Sequence, residues 1–172
     1  MRRLFSGLAL SVLMALAVSG CGDEMCEAGE PCECFGGTDC YLGCEDDGCN
    51  ATFHDLHHCG AVCEDDCRTE SFRFQECSTT CGDDCNVLCH EGTACGALCG
   101  DRCRFECFKM DRCGARVGND SLVKCHEYSR CEVECEGSCR VECANPTGCS
   151  VECLGGGAPM QCADGSQACG GC

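Results

Sequence analysis

From Cys77 the cysteines advance in steps of 4, 4, 4 and 6 residues, repeat those steps to Cys113, and resume them at Cys131. The steps close a period of eighteen residues. A fixed period of this size marks a chain built from stacked copies of one unit, each unable to bury its own apolar face. Cys59, Cys77, Cys95, Cys113, Cys131 and Cys149 share the first position of the unit. Cys63, Cys81, Cys99, Cys135 and Cys153 share the second, and Cys49, Cys67, Cys85, Cys103 and Cys139 the third. Cys89, Cys107, Cys125 and Cys143 share the fourth. An irregular first unit runs from about Cys40 to His58, with one extra residue in Glu45-Asp46-Asp47-Gly48.

Each unit holds two segments of the form C-x-φ-x-C, such as CGALC (95–99), CRFEC (103–107) and CRVEC (139–143). In an extended strand residues i, i+2 and i+4 share a face, so both cysteines and the apolar residue between them point inward together. Three-residue turns such as Gly82-Asp83-Asp84 and five-residue corners such as Ala144-Asn145-Pro146-Thr147-Gly148 separate the segments. Gly, Asp, Asn and Pro suit those positions. The expected fold is all-β: a disulfide-stapled β-solenoid of 18-residue coils, two short strands per coil, stacked about 4.8 Å apart. A helical hairpin competes, because CxxxC also places two thiols on one helix face. The 23 glycines and the β-branched residues at φ favour strands.

The corner columns agree with stacking. Phe72, His90, Phe108 and His126 make an aromatic column, and Arg73, Glu91, Lys109 and Glu127 beside it alternate in sign. Opposite charges on neighbouring strands attract. On these repeats, residues 40–153 resemble the cysteine-laddered solenoids of insect antifreeze proteins. Those proteins bind ice through flat Thr-x-Thr arrays, and no such array is present here, so ice binding is not carried over.

The unit starting at Cys113 has Val117 at the second position and Ser121 at the third. Their joint loss predicts that these positions bond each other: Cys63–Cys67, Cys81–Cys85, Cys99–Cys103 and Cys135–Cys139. First and fourth positions are then expected to pair as Cys77–Cys89, Cys95–Cys107, Cys113–Cys125 and Cys131–Cys143. Cys59 faces Ser71 and needs a partner elsewhere, for which Cys40 is a candidate.

Composition explains why such cross-links are needed. The chain has 29 cysteines in 172 residues, which inflate its 44% hydrophobic fraction. Outside the cysteines and the first twenty residues, about 34 apolar side chains remain, roughly 22% of the rest, a proportion typical of disordered chains. Each bridge over a short loop contributes about 2–3 kcal/mol by restricting the unfolded chain. This density also implies an oxidising compartment.

The N-terminus agrees. Arg2 and Arg3 precede an apolar run from Leu4 to Val18, which has the length and flanks of a secretory signal. The run closes on Val18-Ser19-Gly20-Cys21, which resembles the bacterial lipobox. That resemblance implies cleavage before Cys21, diacylglycerol on its thiol, and a cell-envelope lipoprotein. Gly22 in the next position favours the outer membrane. The expected organisation is a signal peptide at 1–20, a lipid-anchored linker at 21–39, solenoid repeats at 40–161 and a Gly/Cys-rich cap at 162–172.

Without Arg2 and Arg3 the chain carries 10 basic against 29 acidic residues, a net charge of −19. This argues against nucleic-acid binding and favours cations or basic partners. Asp65, Asp83, Asp101 and Asn119 share one turn column, with Asp66, Asp84 and Asp120 beside them and Arg102 interrupting. Oxygen ligands at such spacing suit calcium, and Gly118-Asn119-Asp120-Ser121-Leu122 resembles the calcium-binding nonapeptide repeats of secreted toxins. The competing reading is a solvated acidic edge. His54, His57 and His58 are candidates for zinc or copper. Cys169 and Cys172 suggest a terminal bridge. No nucleophile–base or phosphate-loop pattern occurs, and a thin coil filled with sulfur leaves little room for a pocket. The expected function is therefore non-catalytic: a structural or adhesive scaffold held to membrane by its lipid, offering Phe72, Phe108 and Tyr128 to a protein or surface partner. Calcium or a transition metal on the acidic turns or the histidines is the alternative.

Overall fold

The computed structural model describes residues 24–26, 29–44 and 47–172. It is a parallel β-solenoid of about seven coils. After β1 (Glu24–Cys26), five 14-residue strands follow: β2 (Pro31–Cys44), β3 (Asn50–Cys63), β4 (Arg68–Cys81), β5 (Asn86–Cys99) and β6 (Arg104–Val117). Next comes the 15-residue β7 (Ser121–Cys135). Each pairs in parallel with the next, and from β3 onward the register advances by eighteen, as in Asn50↔Arg68, Arg68↔Asn86 and Asn86↔Arg104. Between β2 and β3 the step is nineteen, Pro31↔Asn50, which reflects the extra residue between Cys44 and Cys49. There is no α-helix among the described residues.

The two strands expected per coil are the two arms of one long strand, folded at its corner. Ladder pairing skips two alternate residues there and continues, as in Phe72↔His90, Phe74↔Gly92 and Glu76↔Ala94. From β3 to β7 the first skipped residue is Asp55, Arg73, Glu91, Lys109 or Glu127, all with φ between 50° and 59°. A left-handed residue turns the chain within one step, and the rest of the corner stays extended and hydrogen-bonded. Only the last full coil separates into β8 (Cys139–Cys143) and β9 (Cys149–Cys153), joined by a 3-10 turn at Pro146–Gly148. Pro146 stands where the ladder would continue, and its missing N–H is consistent with the break. In a closing hairpin, β10 (Met160–Gln161) pairs with β11 (Gln167–Cys169), and β11 runs antiparallel to β8 and covers its edge.

Facing arms form a thin sandwich. Ala61, Thr79, Ala97, Ala115 and Val133 on one arm meet Ala51, Thr69, Val87, Phe105 and Val123 on the other, all buried. Thr69 and Thr79 share a hydroxyl–hydroxyl bond of 3.2 Å across the interior, so neither buried oxygen is left without a partner. A further inward column lies just past each corner: Leu56, Phe74, Met110 and Tyr128 are buried there. Gly92 interrupts that column, and Phe74 and Met110 close over it. An added Cβ on Gly92 would lie 2.8 Å from both the Phe74 ring and the Phe74 carbonyl oxygen. Tyr128, expected to be an exposed contact, therefore belongs to the interior. Its hydroxyl donates to the carbonyl of Asn145, and burial raises its pKa. The segment 21–39, expected to be a linker, contains β1 and the first arm of β2. Phe35 already occupies the aromatic column, but the nineteen-residue step hides that register in the sequence.

Among the described residues, eleven disulfides brace the sandwich. The dominant type spans the corner at a separation of six: Cys34–Cys40, Cys89–Cys95, Cys107–Cys113, Cys125–Cys131 and Cys143–Cys149. This corrects the expected Cys77–Cys89, Cys95–Cys107, Cys113–Cys125 and Cys131–Cys143. The five-residue corner returns the chain directly opposite itself, with Cys89 and Cys95 Cα atoms 6.4 Å apart. Cys77 instead lies one coil away, beside Cys95 in the ladder. Phe53 and Ser71 stand where two consecutive units would carry the fourth-position cysteine. Their orphaned partners, Cys59 and Cys77, bond each other between coils at a Cα–Cα distance of 4.5 Å. Cys40 is thus not the partner of Cys59. The expected Cys169–Cys172 bridge is replaced by Cys153–Cys169 and Cys162–Cys172, which fasten the cap.

Candidate functional site

Turn bridges close Cys44–Cys49 near one end of the solenoid and Cys135–Cys139 near the other. Between them, Cys63, Cys67, Cys81, Cys85, Cys99 and Cys103 are buried thiols. The expected Cys63–Cys67, Cys81–Cys85 and Cys99–Cys103 bridges are therefore open. The packing supplies a reason: the Cys81 sulfur of one coil sits close to those of Cys99 and Cys103 in the next. Neighbours between coils compete with the neighbour across the turn. The Sγ atoms of Cys81, Cys99 and Cys103 all lie within 4.8 Å of one another.

Turn carbonyls face the third-position thiols. Cys85 Sγ donates to the carbonyls of Asp83 (3.5 Å) and Gly82 (3.6 Å), and Cys103 Sγ to that of Gly82 (3.5 Å). In the next coil Ser121 replaces the cysteine and imitates it. Its hydroxyl donates to the Asn119 carbonyl at 3.3 Å and accepts the Cys103 N–H at 3.0 Å. Val117, fully buried, fills the second position. The thiols do not share protons equally. Those of Cys103 and Cys81 donate to Cys99, which lowers its pKa, whereas bonding to Cys103 pushes Cys81 and Cys85 up.

The acidic turns have a structural use. Asp65 Oδ1 accepts the N–H of Asp83 at 2.7 Å, Asp83 Oδ1 that of Asp101 at 2.8 Å, and Asp101 Oδ1 that of Asn119 at 2.6 Å. Each carboxylate reaches into the space beside the glycine that precedes its donor. A Cβ on Gly82, Gly100 or Gly118 would lie 2.0–2.3 Å from that oxygen. Where Glu64 replaces the glycine, the equivalent bond from Asp65 N to Asp47 Oδ1 lengthens to 3.3 Å. The neighbouring column is engaged too: Arg102 grips Asp84 through two bonds of 2.7 and 2.6 Å, and Ser138 Oγ donates to Asp120 at 2.9 Å. Asp66 is exposed, at φ 56°. Backbone and side-chain donors therefore already occupy an oxygen of Asp65, Asp83, Asp84, Asp101 and Asp120.

The three histidines do not converge. His54 is stacked between Phe35 (centroids 5.1 Å apart) and Phe72 (4.9 Å), and Phe72 stacks in turn on His90 at 5.1 Å. His58 Nδ1 is 2.7 Å from Asp39 Oδ1 in the adjacent coil, and His57 is exposed. Among the described residues, no group of three ligand atoms within 4.8 Å includes any of them. The aromatic column is thus a Phe–His stack that starts at Phe35, two coils before the sequence shows it. Of the pairs expected in its neighbouring charge column, Lys109–Glu91 forms, whereas Arg73 turns to Asp55 of the preceding coil. Arg73 holds Asp55 through bonds of 2.6 and 2.8 Å, and Lys109 lies 3.1 Å from Glu91.

A recess of about 450 Å³ along one outer face is shallow and open, bordered by Tyr41, Ser78, Gly96, Gly114, Arg112 and Glu132. The lipidation residue expected from the sequence, Cys21, lies outside the described residues. The fold and its sulfur framework define the class as a disulfide-braced parallel β-solenoid. No family model, curated protein or solved structure matches the chain.

Proposed function

We infer that this chain is a bacterial cell-envelope lipoprotein, anchored through Cys21, whose mature part is a rigid, non-catalytic scaffold that holds its outer faces toward a protein or surface partner. The observation that carries the reading is where the chemistry-bearing side chains have gone. Turn carboxylates cap backbone amides, the His54 and His90 imidazoles stack on phenyl rings, and sulfurs fill the interior. What faces outward is a regular array of ladders on a frame cross-linked along nearly its whole length. Such a frame suits load or display, because ordering costs little at binding when the surface is already fixed.

Metabolic labelling with an alkyne fatty acid, combined with cell fractionation, tests the anchor. The expected result is a labelled chain in the membrane pellet, and loss of both label and pelleting in Cys21→Ser. Label retained by that variant would contradict the anchor. Cross-linking in cells from Tyr41 and Leu98, both exposed on the outer face, should then capture one reproducible partner. Outer-membrane location follows from Gly22 in the sorting position and is read from the same fractionation.

A further inference from the structure

We propose that Cys81, Cys85, Cys99 and Cys103 form a buried thiolate site for a thiophilic d10 cation, Cu(I) or Zn(II). Each of two adjacent coils contributes one CxxxC pair, and stacking turns two pairs into a four-sulfur cluster that neither segment could form alone. Metal–sulfur bonds of about 2.3 Å place sulfurs about 3.8 Å apart in a tetrahedron and about 4.0 Å apart in a trigonal site. The sulfurs of Cys81, Cys99 and Cys103 all lie within 4.8 Å of one another, at most about 1 Å beyond that spacing, and Cys85 Sγ shares the Gly82 carbonyl with Cys103 Sγ, at 3.6 and 3.5 Å.

An all-sulfur donor set selects soft ions and discriminates against calcium and magnesium. Among the described residues, three other groups of sulfurs meet the same 4.8 Å bound: Cys26, Cys44 and Cys49; Cys131, Cys143 and Cys149; Cys135, Cys139 and Cys169. All their members are consumed in disulfides, so none can supply thiolates. The cluster at Cys81 differs in having only thiols. Its surroundings also bound it: Val117 and Ser121 end the sulfur columns on one side.

Binding is proton exchange without electron transfer. Zn(II) with four thiols gives a tetrathiolate and four protons, and Cu(I) with three gives a trithiolate and three protons. Affinity should therefore rise with pH. The site is independent of the scaffold reading, since a rod without metal would still display its faces.

The test uses the full chain, expressed with its own leader in medium supplemented with copper or zinc and isolated without reductant. Elemental analysis and native mass spectrometry should find one metal ion per chain. Thiols of Cys81, Cys85, Cys99 and Cys103 should resist alkylation until a chelator is added. Cobalt(II) loading should give the intense d–d and thiolate charge-transfer bands of a tetrahedral sulfur site. The double variant C81S/C99S should lose more than about 100-fold in affinity in competition with a chromophoric chelator, since outer-shell changes alone cost 10–100-fold. C63S/C67S, a control in the same array, should keep the metal. Three outcomes overturn the proposal: a denatured mass six hydrogens lighter than eleven bridges allow, six alkylatable thiols with no metal, or metal that survives C81S/C99S.

Discussion

Asp83 Oδ1 accepts the backbone N–H of Asp101 at 2.8 Å, in a space that a Cβ on Gly100 would invade at 2.2 Å. Carboxylate and glycine are thus one device, repeated along the turns. G100A should destabilise the protein by about 1–3 kcal/mol through overpacking. D83A should cost about 1–2 kcal/mol through the lost charge-assisted bond. In D83A/G100A the glycine no longer protects anything, so the double variant should lose clearly less than the two single costs combined. Chemical denaturation of the oxidised proteins measures all three.

Acid should expose the ion pairs between coils. Arg73 holds the Asp55 carboxyl below its usual pKa, and Arg102 does the same for Asp84. A carboxylate with a depressed folded pKa contributes stability above its unfolded pKa, about 3.9, and loses it as pH falls through the folded value. Thermal stability should accordingly hold from neutrality down to about pH 4 and decline below it. R102Q should remove the Asp84 contribution, so that it is less stable than the wild type near neutrality, declines less steeply below about pH 4, and converges with the wild type in acid. Both side chains are exposed, so salt should reduce the difference between the two proteins.

The Cys59–Cys77 bond is a consequence of two missing partners, Phe53 and Ser71. S71C should restore the corner bridge and divert Cys77 to the new thiol at position 71, leaving Cys59 reduced. Digestion without reduction, followed by mass spectrometry, would show a peptide that links position 71 to Cys77. Persistence of Cys59–Cys77 would mean that coil stacking, and not partner loss, dictates that bond.

Glu127 sits at φ 50° and makes no ion pair among the described residues, unlike Arg73 and Lys109 in its column. A left-handed conformation costs a non-glycine residue about 1 kcal/mol. E127G should raise the melting temperature or leave it unchanged, because relief of strain offsets the greater freedom of the unfolded chain. R73G should lower it, since the same relief is outweighed by loss of the bidentate Asp55 contact.

Period and fold class are legible because cysteine is rare enough for its spacing to stand out, and strand alternation then assigns the faces. Charge alternation at Arg73, Glu91, Lys109 and Glu127 is readable for the same reason. The corner bonds are not, because Cys89 is close to both Cys77 and Cys95 in an eighteen-residue coil. Only the tightness of the corner decides between them. A second joint loss does bear on the choice: Phe53 and Ser71, set beside Cys59 and Cys77, imply pairing across six residues. Tyr128 reads as outward-facing only if alternation runs unbroken through the corner. The left-handed residue at Glu127 resets it and sends the next side chain inward. The thiol cluster has no sequence signal, since its sulfurs meet only when coils stack. Nor do the acidic turns declare their role, because Asp beside Gly suits a calcium ligand and an amide cap equally well.

The disulfide map of the isolated wild-type chain bears most directly on the stacked, corner-bridged coil. Digestion between cysteines without reduction should yield Cys89–Cys95, Cys107–Cys113 and Cys125–Cys131 as separate linked peptides. Recovery of Cys95–Cys107 and Cys113–Cys125 in their place would contradict it.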